Sequence, residues 1–214
     1  SDGSTSRGRI ELTYDAAGQA AGLPPSVWFK SSPTFTTRLV TGLTGAAMNE
    51  GRFYTQVRPA LDLMAPHGFY GRADPVSCRS IVLIEDLART RGASFGGPAE
   101  RYVTRPMAES MVRELAAYHG AMWQSSRFAG DLGWLPSSLQ WQQRVNAAIP
   151  FEKRTLIGID RAVDVSAPGF VEHRGDVWPA FMQSLTMNVT GPQTFLHQDL
   201  HAGNWYSTDD GTMG

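Results

Sequence analysis

The chain has 214 residues, 42% hydrophobic and 18% charged, with a formal net charge of −1; it can bury a real core as one large domain or two lobes, and shows no broad electrostatic surface for nucleic acid or anionic membrane. Cys78 is the only cysteine, which excludes an internal disulfide and a cysteine-built zinc site and fits a reducing compartment. No apolar run approaches the roughly 18 to 20 residues that span a bilayer, and SDGSTSRGR does not read as a signal peptide, so the expectation is a cytoplasmic protein.

In chain order, SDGSTSRG reads as a loop. RIELTY alternates as a strand and ends in the polar turn DAAGQAAG. After Pro24-Pro25, SVWFK predicts a second strand that ends on Lys30. TGAAMNEGRFYTQVRPAL carries a helical stripe of Ala46, Ala47, Phe53, Tyr54 and Val57. Glu50 lies on that stripe, four residues from Ala46 and four from Tyr54. A carboxylate on a buried face is costly unless paired, and Lys30 is the obvious cation; the alternative is a stripe turned outward. SIVLIEDL is a continuous apolar run of strand length, which suits a buried strand. It ends at Glu85, Asp86 and Leu87, either a connector whose backbone groups meet adenine or a solvated acidic turn.

Beyond about residue 91 the pattern becomes helical. RPMAESMVRELAAYHGAMW places Met107, Met111, Leu115, Tyr118 and Met122 on one face, with Pro106 in the opening turn. GWLPSSLQWQQRVNAAI and WPAFMQSLTMNV predict shorter helices. The last residues predict a hairpin turn at Asp209, Asp210 and Gly211 after the strand Trp205-Tyr206. Only Thr212, Met213 and Gly214 remain for a return strand, so both ends read as cut. The expected architecture is α+β: a strand-rich small lobe over 1–87 and a larger helical lobe over 88–214.

FLHQDLHAGNWY, residues 195 to 206, is the densest polar constellation. As a metal site, His197, Asp199 and His201 would share one face of a strand; His67, His119 and His173 add no recognisable ligand spacing. As a polar turn, the histidines would face the core. As a phosphotransfer loop, His197, Asp199 and Asn204 fit the spacing H-x-D-x-x-x-x-N. Phosphoryl transfer needs an acceptor hydroxyl aimed in line, its proton received and the phosphate charge neutralised. An aspartate at the loop tip can take the proton, an asparagine five residues on can hold magnesium, and Gly203 lets the backbone turn tightly.

The segments GLPPSVWFK, NEGRFYTQVRPAL, IVLIEDL, ELAAYHGAMW and LHQDLHAGN, in this order, resemble the aminoglycoside phosphotransferase-like small-molecule kinases, and most of all their ecdysteroid-kinase-like branch. The resemblance implies a protein-kinase-like two-lobe fold and transfer from ATP, with Mg2+, to a small-molecule hydroxyl. It implies that Lys30 binds phosphates, Glu50 orients Lys30, the Glu85, Asp86 and Leu87 backbone meets adenine, Asp199 is the base, Asn204 binds metal and His197 braces the loop. Ser4, Thr5 and Ser6 would offer phosphate donors from the tail of the covering loop. His201 gains no role beyond positioning.

The family's second metal-binding aspartate and first strand fall outside the sequence, so the 214-residue piece alone is expected to bind nucleotide weakly and to transfer nothing. Competing readings are a nucleotide-binding pseudokinase and a His/Asp metal-dependent hydrolase. Nine acids balance nine Lys or Arg between residues 100 and 190, which favours a neutral or apolar hydroxyl compound over a polycation.

Overall fold

The computed structural model describes residues 5–96 and 102–214. The chain divides into two compact units, Ser1–Trp123 with Thr194–Gly214, and Gln124–Gln193. The lobe boundary read at residue 87 falls inside the first unit.

The first unit is built on a four-stranded antiparallel sheet of β1 (Ser6–Glu11), β2 (Ser26–Ser31), β3 (Gly68–Ala73) and β4 (Ser80–Glu85), in the order β1-β2-β4-β3. The three expected strands are present. The first begins earlier than RIELTY, at Ser6, because Ser6 to Glu11 pair with Ser31 to Ser26. β3 has no counterpart in the sequence reading; its apolar Phe69 and Tyr70 are half exposed. The turn after β1 contains a short helix, α1 (Ala16–Ala20), because Asp15 accepts from the Gly18 N–H at 2.9 Å. A second unexpected helix, α2 (Phe35–Thr44), is capped by Thr34 and stopped by Gly45 in the left-handed region at φ 76.

α3 (Ala46–Arg52) is the expected helix. It widens into a π-helical turn over Phe53–Val57 and tightens to a 3-10 turn over Arg58–Ala60. Its buried positions are Ala47, Gly51, Tyr54, Val57 and Arg58, and Phe53 is half-buried; of the expected stripe only Ala46 is exposed. Glu50 therefore borders the buried face instead of lying at its centre. Tyr54, Val82 and Ile84 form a core cluster with Trp28 and Phe53 against it.

Two glycines set how closely α3 meets the sheet. A Cβ at Gly71 on β3 would stand 2.6 Å from the Gly51 carbonyl oxygen and 2.9 Å from its Cα. Backbone cannot yield as a side-chain tip can, so Gly71→Ala must push α3 outward together with Glu50. The expected loss is about 1–3 kcal/mol, the usual cost of overpacking, read as a lower urea midpoint. An unchanged midpoint would show that α3 slides freely on the sheet.

Past β4 come α4 (Leu87–Thr90), β5 (Ser94–Phe95) and α5 (Arg105–Ala121). α5 is capped by Thr104 and carries Pro106 in its first turn. Its stripe is the expected one: Tyr118 and Met122 are buried and Met107, Met111 and Leu115 half-buried. β6 (Tyr206–Ser207) pairs with β5, one residue later than expected. The hairpin turn forms, with Gly211 at φ 84 and Asp210 accepting the Thr212 N–H at 2.9 Å. Three residues suffice for its return: Ser207 bridges Met213, and Tyr206 and Gly214 exchange both backbone bonds.

The second unit holds α6 (Ser138–Ala148), α7 (Phe151–Arg161), α8 (Pro168–Glu172) and α9 (Arg174–Asn188). The two Trp-rich segments are helical as expected, the first opened by a reciprocal Ser137–Gln140 capping box. Leu132, Val145 and Ile159 are its buried apolar residues. α7 was not expected. The whole is α+β, a small antiparallel sheet followed by a mostly helical remainder.

Candidate active site

Lys30 is the fifth residue of β2, paired with Arg7 on one side and Val82 on the other. Its Nζ lies 2.7 Å from Glu50 Oε1. The pairing expected from the sequence is present. Both side chains are about one-third exposed, at 33% and 30%, so the pair is weaker as a stability element than a buried one, on the order of 1 kcal/mol or less. Its consequence is positional: the carboxylate fixes where the ammonium stands.

The Glu85–Leu87 connector is not a solvated acidic turn. Glu85 is 8% and Asp86 2% exposed. Asp86 takes the Arg9 guanidinium through both carboxylate oxygens and accepts from Ser26 Oγ at 2.7 Å, tying β1 and β2 to the end of β4. The Arg9 hydrogen bond, against the smaller opposing effect of burial, holds the Asp86 carboxyl below its usual range. Glu85 accepts from Arg91 Nε at 2.9 Å and Nη2 at 2.6 Å, and from Thr90 Oγ1 at 2.6 Å. Neither carboxylate is free for a ligand, so only the main chain of this segment can serve one. The His67 N–H goes to the Glu85 carboxylate at 3.0 Å, while the Glu85 N–H donates to the His67 carbonyl. The Glu85 carbonyl and the Leu87 N–H are main-chain groups of this segment, an acceptor and a donor two residues apart.

The loop from His197 to Asn204 is held by its own imidazoles. The His197 N–H donates to the Tyr118 hydroxyl at 3.3 Å, anchoring the loop on α5. His197 Nδ1 accepts the Asp199 N–H at 3.2 Å, and His201 Nδ1 accepts the Gly203 N–H at 3.1 Å. Gln198, between the first two, sits in the left-handed region at φ 65, a conformation costly for a non-glycine residue. Crowding around the His197 ring lowers its pKa; the Asp199 carboxylate opposes that, Lys30 and His201 add to it, and Glu50 opposes it again. Lys30 and Glu50 thus lie close enough for their charges to act on the His197 ring. Phe53, just past α3, stacks on Phe195 with ring centroids 5.8 Å apart, and Phe195 meets Tyr118 edge-on at 6.2 Å.

Asn204 closes the loop. Its Nδ2 donates to the Asp199 carbonyl at 2.7 Å and to Asp199 Oδ2 at 3.2 Å. An amide anchored by its nitrogen turns its oxygen the other way, which leaves Asn204 Oδ1 for a hard cation. Gly203 lies in a 3-10 turn with no positive φ, so conformational freedom is not the reason for glycine there. A Cβ would stand 2.9 Å from His201 Cε1 and 3.1 Å from its Nδ1: the glycine makes room for the imidazole.

The structure brings Lys30, Glu50, His197, Asp199 and Asn204 together. Ser6 begins β1 and Thr5 precedes it, both with no hydrogen bond to the loop; Ser4 lies outside the described residues. The sequence reading missed Arg9, Arg58, Arg91, Phe53 and Tyr206. Only Phe53 carried a signal, three residues after Glu50 on the same apolar run. Among the described residues no three His, Cys, Asp or Glu side chains converge as ligands, and both loop histidines spend Nδ1 on backbone N–H groups, so a His/Asp metal cage gains no support.

The chain belongs to the phosphotransferase enzyme family, which it matches over residues 34–214. The match makes it a kinase-type phosphotransferase of the aminoglycoside phosphotransferase-like kind. Comparison with curated proteins and with solved structures gave no match.

Proposed function

We propose that the protein is an ATP- and magnesium-dependent kinase that phosphorylates a hydroxyl of a small molecule, within the ecdysteroid-kinase-like branch of its family. One observation supports this reading: a Lys30–Glu50 pair whose charges act on His197 is joined in one unit with a loop whose asparagine is anchored by its nitrogen to Asp199. Lys30 binds phosphate oxygens, the Glu85 carbonyl and Leu87 N–H meet the adenine edge, and Asp199 receives the acceptor proton. Asn204 Oδ1 is one ligand of the magnesium ion, which when bound neutralises phosphate charge. The even charge balance over residues 100–190 supports a neutral or apolar alcohol as acceptor, and Cys78 as the only cysteine supports a cytoplasmic location.

The test, made on the full-length gene product, is calorimetric titration with ATP and Mg2+, followed by ATP consumption against a panel of alcohols, sugars and amino sugars. ATP binding with turnover on one acceptor class is expected. Binding without turnover on any acceptor makes the protein a pseudokinase, and no binding of nucleotide overturns the proposal. Lys30→Ala is expected to weaken ATP binding about 10- to 100-fold, the worth of a charge-assisted hydrogen bond. Unchanged affinity would remove Lys30 from the phosphate site.

A further inference from the structure

His201 has no task in the mechanism above, yet its ring is the most constrained polar group of the loop. The Gly203 N–H donates to its Nδ1 at 3.1 Å, so the neutral ring carries its proton on Nε2. That Nε2 faces Asp199 Oδ2 at 3.9 Å. The ring cannot slide toward Gly203, because it already fills the space a Cβ would take. Asn204 Nδ2 approaches the same Oδ2, at 3.2 Å. Both donors thus converge on one carboxylate oxygen, and Oδ1 meets none among the described residues.

We propose that His201 is a positioning residue for Asp199: with Asn204 it holds the carboxylate by Oδ2 and leaves Oδ1 as the oxygen that receives the acceptor proton. The inference rests on the phosphotransfer reading for the word acceptor, and on the loop geometry alone for the division between the two oxygens. Asp199 is 73% exposed, so no packing fixes its rotamer and the nearby donors must. At 3.9 Å the imidazole N–H is beyond direct hydrogen-bond range. It acts there as a dipole pointed at Oδ2, and a small rotation of either side chain closes the gap. Without it, the carboxylate can rotate about its Cβ–Cγ bond away from this orientation, and the base is no longer aimed.

Three substitutions separate this from a role in the turn. Asparagine can keep an acceptor where Nδ1 stands but cannot reach Asp199. Glutamine reaches with its Nε2 but loses the short cap. Alanine loses both. His201→Ala is expected to lower kcat about 10- to 100-fold, the cost of a misplaced group, with KM for ATP unchanged. Glutamine should restore most of kcat and asparagine little. Rescue by asparagine and not by glutamine overturns the proposal, because only the turn would then matter. Full activity of His201→Ala beside an inactive Asp199→Ala also overturns it and leaves the kinase reading standing; an active Asp199→Ala is what would sink the kinase reading itself. A readout free of turnover is 15N NMR of imidazole-labelled protein. His201 should be the Nε2–H tautomer, and Asp199→Ala should move its Nε2 resonance. An Nδ1–H tautomer, or a resonance indifferent to Asp199, overturns the geometry.

Discussion

In the full-length gene product, Asp199→Ala is expected to lower phosphotransfer by about 10² to 10⁴, the usual worth of a positioned general base, while ATP affinity changes little. The separation follows from what the side chain touches. Its carboxylate is 73% exposed and its partners are the Asn204 amide and the His201 ring. The stronger Asn204 contact goes to the Asp199 main-chain carbonyl at 2.7 Å, which alanine retains. The loop therefore keeps its anchor, and Lys30, on β2, keeps its pair with Glu50. Binding of nucleotide draws on these surviving groups, whereas the acceptor proton loses its only receiver. Measurement of kcat beside calorimetric ATP affinity checks both halves. Near-normal turnover in this variant would take Asp199 out of the base role.

The parts legible in the sequence are those where spacing alone imposes geometry. A separation of five residues from Asp199 to Asn204 leaves little freedom but to fold one back on the other, as the 2.7 Å contact does. The stripe of α5 was readable because five apolar residues at helical spacing all turn inward. α2 was not, since its Phe35, Leu39 and Val40 are 72%, 57% and 49% exposed and mark no buried face. The Glu50 argument reached the right partner because Ala47, Tyr54 and Val57 of the expected stripe are buried, although Ala46 is exposed and Glu50 borders the buried face. Gly203 looked like a flexible turn and is a seat for an imidazole, which no local pattern reveals. The buried guanidinium groups were least legible. Arg58 is 5% exposed and donates to the carbonyls of Leu61, Leu63 and Ala65. Its partners are main-chain atoms, and these carry no sequence signature.

Arg91 is the position where one substitution should do most damage to the fold. Its guanidinium grips Glu85 through two nitrogens, at 2.9 and 2.6 Å, and its third nitrogen donates to the Met64 carbonyl at 3.0 Å and the Tyr206 hydroxyl at 3.3 Å. Tyr206 donates in turn to the Met64 carbonyl, and it stands two residues beyond Asn204. One side chain thus joins the end of β4, the loop before β3 and the strand that leaves the catalytic loop. Arg91→Met keeps much of the apolar stem and removes the charge, leaving Glu85, 8% exposed, as an uncompensated carboxylate. The expected loss is about 3–5 kcal/mol, read from urea unfolding at neutral pH. The pH dependence carries the signature. Burial raises the Glu85 pKa, but the hydrogen bonds from Arg91, Thr90 and the His67 N–H outweigh it and hold the group below its ordinary value. A carboxyl with a depressed folded pKa contributes stability above its unfolded pKa and loses it as pH falls through the folded one. In the variant the largest lowering partner is gone and burial remains, so protonation of Glu85 relieves the folded state. The gap between wild type and variant should therefore shrink on acidification. Adding Glu85→Gln to Arg91→Met should recover part of the loss at neutral pH, since the buried charge is removed with its partner. A loss below about 1 kcal/mol, the range of an exposed pair, or a gap that stays constant with pH would show that Glu85 finds water once Arg91 is gone, and that the network does not bind the connector to the catalytic strand.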